Sequence, residues 1–195
     1  MNLITFLPLT KNKLAVLFEI YAAEEDYLRS LHKKTGINVS LLHRILKNFI
    51  DAEVVTRKLK GKEVYYCLNP KSLLFLRSLI ERYHSDTVVY NDSILKYLLK
   101  LIFENKDFFR QCQKIYLFGS FTRGNVKEGS DIDLLFVTKN KKKVLEWCKS
   151  TSLLLQREIS PLIYDPLKFK KDLSKGDALL KSIIAVVKNR VILKE

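Results

Sequence analysis

Cysteine is scarce in this chain of 195 residues: Cys67, Cys112 and Cys148 are its three, far apart and without C-x-x-C spacing. A disulfide framework and a zinc site are both disfavoured, and each thiol reads as a small buried hydrophobe. No apolar run reaches the roughly 20 residues that a membrane span needs, so no membrane partner is expected. The apolar opening Met1 to Leu9 is too short for a signal peptide and lacks its basic start. It reads as an ordered terminus, and the protein as cytoplasmic. Glycine is limited to six residues, and no Gly/Ser-rich linker, internal repeat or low-complexity tract is present. Acidic charge is also short, with 21 Asp and Glu against 35 Lys and Arg. The net charge of +14 argues for a polyanionic partner, nucleic acid or nucleotide, and says nothing directly about fold.

What is present is enough apolar residue, 47%, for real cores, in a length that suits one large or two small domains. The most informative stretch is Gly119 to Leu134, G-S-F-T-R-G-N-V-K-E-G-S-D-I-D-L. It joins two apolar runs, Ile115 to Phe118 and Ile132 to Val137, that read as buried strands. Gly119 beside the Ser120 hydroxyl would let backbone N–H groups approach a phosphate closely. Asp131 and Asp133 are two apart on a strand, so both carboxylates point to one face. Two like charges held so close make sense chiefly if a divalent cation with oxygen ligands, Mg²⁺ or Mn²⁺, neutralises them.

This motif resembles the nucleotidyltransferases of the DNA polymerase β superfamily, in their minimal branch, over about residues 112–165. The resemblance implies phosphate binding by Gly119 and Ser120 and metal ligation by the catalytic Asp131 and Asp133; Ser130 and Arg123 in the same loop are further nucleotide-binding candidates, Arg123 as a bidentate phosphate clamp. It also implies a third carboxylate on a later strand. The segment Arg157 to Asp165 reads as that strand, with Pro161 marking an edge or a bulge. Ser160 stands near the family's third-acid place. Glu158, two residues away on the same face, is the catalytic choice, while Asp165 at the strand end is expected to cap the next helix. Lys139 to Lys143 is either a solvated helix start or a triphosphate or nucleic-acid contact. The tail from Leu173 to Val187 reads as one apolar helix that packs on the sheet or on a second subunit, a homodimer.

The chain before this loop reads differently. Helical patterns cover Lys13 to Ala23, Asp26 to Lys34, and Val39 to Ile50 with Asn38 as N-cap; Glu53 to Leu59 and Glu63 to Leu68 form a hairpin around Gly61-Lys62. Three helices and a basic hairpin resemble a winged helix-turn-helix. That resemblance implies double-stranded DNA as partner, with Ser40, Arg44 and Lys47 facing the major groove and Lys58, Lys60 and Lys62 meeting phosphate or the minor groove. Residues 33–62 hold eight basic residues against Asp51 and Glu53, so the charge is concentrated on the reading elements. A docking or dimerisation module is the plainer alternative. His43 reads as surface, and Tyr65 and Tyr66 as strand packing.

A helix over Ser72 to His84 is expected to end at Ser85-Asp86-Thr87, and Asn91-Asp92-Ser93 to cap a further helix to Glu104. The fold class is thus α+β. A winged helix-turn-helix domain at 1–86 precedes a small mixed-sheet nucleotidyltransferase domain, flanked by helices, at 87–195. Three functions use the same loop. One is transfer of a nucleoside monophosphate from a nucleoside triphosphate, ATP in the first instance, to a hydroxyl on a protein, small molecule or nucleic-acid end. Another is DNA-binding regulation in which the fold only senses nucleotide. The third, from the resemblance, is an antitoxin that modifies its toxin partner.

Overall fold

The computed structural model describes residues 8–195, so positions 1–7 of the Met1 to Leu9 opening lie outside the described residues. The chain divides into two compact units, with the division between Tyr83 and His84.

The first unit runs α1 (Lys11–Ala23), β1 (Glu25–Tyr27), α2 (Leu28–Thr35), α3 (Val39–Asp51), β2 (Val55–Lys60) and β3 (Glu63–Leu68). Its antiparallel sheet has the order β1-β3-β2. Asn38 caps α3, its Oδ1 accepting from the Leu41 amide at 2.8 Å. The apolar spacing of the helices buries Val16, Leu17, Ile20, Leu31, Leu42, Ile45, Leu46 and Phe49. Gly61, at φ +61, is the first of the two loop residues between Lys60 and Glu63, a position for which glycine is suited.

Two expectations need correction here. The second helix begins at Leu28 rather than Asp26, because Asp26 belongs to β1, where its buried carboxylate pairs with Lys34 at 2.7 Å. The hairpin's first strand begins at Val55 rather than Glu53, since Glu53 turns the chain at φ +55.

A long helix, α4 (Pro70–Tyr90), contains the division point, and the stop expected at Ser85-Asp86-Thr87 lies inside it. A long-range contact engages this segment: Ser85 is buried and its Oγ accepts from the Ile192 amide at 3.1 Å.

The second unit continues with α5 (Ser93–Glu104), α6 (Lys106–Gln111), β4 (Lys114–Phe118), α7 (Ser120–Arg123), β5 (Ile132–Val137), α8 (Lys141–Leu155), β6 (Ile159–Tyr164), α9 (Pro166–Lys175), α10 (Ala178–Ile184) and β7 (Arg190–Lys194). The sheet order is β6-β5-β4-β7, with β5 and β6 parallel and the other pairs antiparallel. β6 is an edge strand, where Pro161 is tolerated. The tail is not one helix: Gly176, at φ +81, closes α9, α10 is short, and β7 pairs with β4. α6 was not anticipated.

Alternation along the strands gives the sheet two apolar faces. Ile115, Leu117, Ile132, Leu134, Phe136 and Ile159 pack with residues of α5, α6 and α8, whereas Tyr116, Leu135 and Val137 pack with Phe169 of α9 and Leu180 and Ile183 of α10. On the first face Trp147 stacks on Phe108 with centroids 4.3 Å apart, and Phe136 meets both rings edge-on. Cys112 and Cys148 are buried, and burial pushes their thiols up to about 11 and about 12. Among the described residues no helix is long and apolar enough to cross a membrane.

Phe136→Ala should remove the centre of the aromatic cluster and cost about 3–5 kcal/mol. Urea unfolding followed by the fluorescence of Trp147, the chain's single tryptophan, reads this loss directly. A cost near zero would mean that the cluster does not organise the unit.

Candidate functional site

Asp133 lies in β5 on the face shared with Leu135 and Val137, paired in register with Phe118 of β4 on one side and Ser160 of β6 on the other. Asp131 immediately precedes the strand, and by alternation its side chain belongs to the same face. Both carboxylates therefore stand at one end of a sheet face whose other end α9 and α10 cover through Phe169, Leu180 and Ile183. Asp131 is exposed and Asp133 half-buried. Burial first, and then the charge of Asp131, raise the Asp133 carboxyl above its usual range, while the charge of Arg123 opposes this.

Gly119 has φ +77 and ψ −143, a backbone open to glycine. A Cβ built there would lie 1.9 Å from Asp133 Oδ2, so the Asp133 carboxylate occupies the space that any other residue at 119 would fill. The turn between β4 and α7 is thereby packed directly on the acid. Thr122, which the sequence did not single out, fixes it from behind: its Oγ1 lies 2.9 Å from the Gly119 carbonyl and 3.1 Å from that of Asn189, so one hydroxyl serves both acceptors. Only the return of the chain at β7 brings Asn189 there, and the β-branched, apolar Val191-Ile192-Leu193 was the available signal for that strand.

Ser120 opens α7, and Arg123 closes it, exposed, with its charge acting on Asp133. Ser130 is half-buried and its Oγ accepts from the Lys127 amide at 2.8 Å, shaping the turn before Asp131. Glu158 is exposed one residue before β6, and its carbonyl accepts from the Ile132 amide at 2.8 Å. Among the described residues no three His, Cys, Asp or Glu side chains gather as a metal-holding group, so the structure brings Asp131 and Asp133 together without a third acid, and Ser160 holds the register place beside Asp133. Asp165 is the cap expected of it, Oδ1 accepting from the Leu167 amide at 2.8 Å. Lys139 to Lys143 follow the end of β5 opposite to Asp131.

The two carboxylates fit Mg²⁺ or Mn²⁺ as partial ligands. Such cations are commonly held by one or two carboxylates, with water and substrate phosphate completing the shell. A bound cation would also relieve the repulsion that raises Asp133.

In the first unit Ser40, His43, Arg44 and Lys47 are exposed along one face of α3, and Lys58 and Lys62 are exposed on the hairpin. Arg29, His43 and Lys62 line a cleft of about 430 Å³ beside them. Lys60 is less free: it pairs with Glu25 and lies 5.3 Å from the centre of the Tyr65 ring. Tyr66 is buried, and Tyr65 meets Tyr27 with centroids 5.4 Å apart.

Residues 98–193, just under half of the chain, match the family model described as nucleotidyltransferase domain. No curated protein matches. Two solved structures are similar at low identity. A toxin–antitoxin structure with AMP-PNP shares 20% identity at a TM-score of 0.34, over 49% of this chain and 68% of that one. A Sulfolobus solfataricus protein assigned as a nucleotidyltransferase shares 21% at 0.30, over 56% of this chain and 85% of that one. At such scores these likenesses carry no argument about activity.

Gly119→Ala should destabilise the protein by more than Gly124→Ala, whose residue has φ +69 but open space around a Cβ, so that backbone strain of about 1–2 kcal/mol is its main cost. The excess should shrink in an Asp133→Ala background. Chemical denaturation of the single and double variants checks this, and an excess that persists in full would show that the carboxylate is not what Gly119 accommodates.

Proposed function

We propose that the second unit transfers a nucleoside monophosphate from a nucleoside triphosphate to a hydroxyl acceptor, and that the first unit binds double-stranded DNA as a winged helix-turn-helix. The observation that carries the first half is the packing of Gly119 on the Asp133 carboxylate, with Asp131 beside it, inside a segment that matches the nucleotidyltransferase domain. A phosphate-approaching turn and a cation-demanding pair are thus one structure.

In this reading the backbone at Gly119 and Ser120 receives the phosphates, and Arg123 offers a guanidinium to them. Ser130 shapes the turn that delivers Asp131. Asp131 and Asp133 hold Mg²⁺ or Mn²⁺, which when bound neutralises phosphate charge and polarises oxygens. The acceptor oxygen attacks the α-phosphorus, the bond to the bridging oxygen breaks, and pyrophosphate leaves. The acceptor proton passes to Glu158, two residues before Ser160, the residue in register with Asp133.

The second half rests on chain order and charge. Helix, strand, two helices and a hairpin, with the sheet order β1-β3-β2, put Ser40, Arg44 and Lys47 on the free face of α3 and Lys58 and Lys62 on the hairpin. One observation favours a second reading, DNA-binding regulation by a nucleotide-sensing unit that transfers nothing: Ser160, not an acid, stands beside Asp133.

Asp131→Asn and Asp133→Asn should each abolish Mg²⁺-dependent binding of a non-hydrolysable ATP analogue in calorimetry. Glu158→Gln should keep that binding and slow transfer by roughly 10²- to 10⁴-fold. Wild-type affinity in the Asp131→Asn, Asp133→Asn double variant would end the proposal. Binding without transfer to any acceptor would leave the sensing reading.

For DNA, affinity should fall steeply with salt. Lys58→Ala with Lys62→Ala should weaken binding to all sequences alike, and Arg44→Ala should also blunt sequence preference. Lys60→Ala should do less than either hairpin change, because Glu25 already neutralises that charge. Fluorescence anisotropy on duplexes across a salt series decides, and salt-independent or absent binding would favour the docking module.

A further inference from the structure

The eight-residue connection from Gly124 to Asp131 delivers Asp131 to the site, yet residues 124–129 are exposed and no burial fixes them. Its own bonds are few: the Gly124 and Asn125 amides donate to the Ser120 carbonyl, and Lys127 and Ser130 close a turn on each other. A loop held only in this way would open readily.

Arg157 reaches into it from the other side of the β5–β6 pair. Its Nη1 donates to the Ser130 carbonyl at 3.1 Å and to the Lys127 carbonyl at 3.4 Å, so one nitrogen bonds two carbonyls of the turn. The base of this arm is itself secured. Gln156 ends α8 in the left-handed region at φ +50, the Arg157 amide donates to the Ser152 carbonyl at 3.2 Å, and Ser152 Oγ accepts from the Ile159 amide at 3.0 Å. The next residue, Glu158, takes the Ile132 amide on its carbonyl. Asp131 is therefore bracketed: the peptide before it is held by the Arg157 side chain and the amide after it by the Glu158 backbone.

We infer that Arg157 is a positioning residue, which fixes the Ser130–Asp131 peptide and so presets the direction in which Asp131 presents its carboxylate to a cation. The inference rests on the reading of Asp131 as a metal ligand. A guanidinium suits the task because it is always charged and its donors lie in a rigid plane; a lysine would supply one point of attachment without that plane. Arg157 makes no ion pair with Asp131 or Asp133 among the described residues, so it orders the loop without cancelling the charge that draws the metal.

The test uses the full chain as wild type, Arg157→Met, Arg157→Lys and Asp131→Asn, with two readouts. Amide exchange at Lys127 and Ser130 should quicken about tenfold in Arg157→Met while β4 and α8 keep their protection. Mn²⁺ alone, titrated by electron paramagnetic resonance, should bind roughly 10- to 100-fold more weakly, the range seen when a group supporting a metal ligand is lost. Arg157→Lys should recover part of both. Wild-type exchange and Mn²⁺ affinity in Arg157→Met would overturn the inference alone, as would a loss of protection spread equally through α8 and β6. Wild-type protein that takes up no Mn²⁺ would instead sink the metal reading of Asp131, whatever the loop does.

Discussion

The charge of two carboxylates at the end of a buried sheet face is the constraint around which the second unit is arranged. Asp131 and Asp133 share a face because a strand repeats every two residues, and neither makes an ion pair among the described residues. Gly119 leaves the room that the Asp133 carboxylate occupies, and the same lack of a side chain lets the turn adopt φ +77. Thr122 and Asn189 lock that turn to the last strand. In the proposed function a cation would complete this acid pair, and the apolar layers on both faces hold the strands while the charges remain at the rim.

The first unit handles charge in the opposite way. Its eight basic residues between 33 and 62 are not equally available, since Lys34 serves a buried Asp26 and Lys60 serves Glu25. Those pairs tie β1 to α2 and to the hairpin. What remains exposed outside those pairs, Lys33 on α2, Arg44 and Lys47 on α3, and Arg57, Lys58 and Lys62 on the hairpin, is a smaller set than composition suggests.

Local signals carried a good part of the fold. The N-caps Asn38, Asp92 and Asp165 accept backbone amides within their own first turns, so their role depended on neighbours in sequence alone. The hairpin at Gly61 and the alternation of β5 were legible for the same reason. The misses were long-range. Asp26 became a strand residue because Lys34 and β3 were there to receive it, and α4 ran through Ser85-Asp86-Thr87, where the Ser85 hydroxyl meets the Ile192 amide. The tail from Leu173 to Val187 read as one helix, but Gly176 at φ +81 breaks it into α9 and α10, and the strand that pairs with β4 lies beyond it.

By itself the sequence determined the chemistry of the candidate site: a glycine–serine turn, a pair of acids at strand spacing, and the apolar runs that bury the strands. These depend on residue type and on the two-residue period of a strand, both local properties. Only the tertiary structure decided which partners surround them. The parallel register of β6 puts Ser160 beside Asp133, the return of β7 brings Asn189 to Thr122, and the turn after α8 aims Arg157 at the Asp131 loop. Such partners lie 27 to 67 residues apart in the chain, a separation at which no periodicity or cap signal reaches from one to the other.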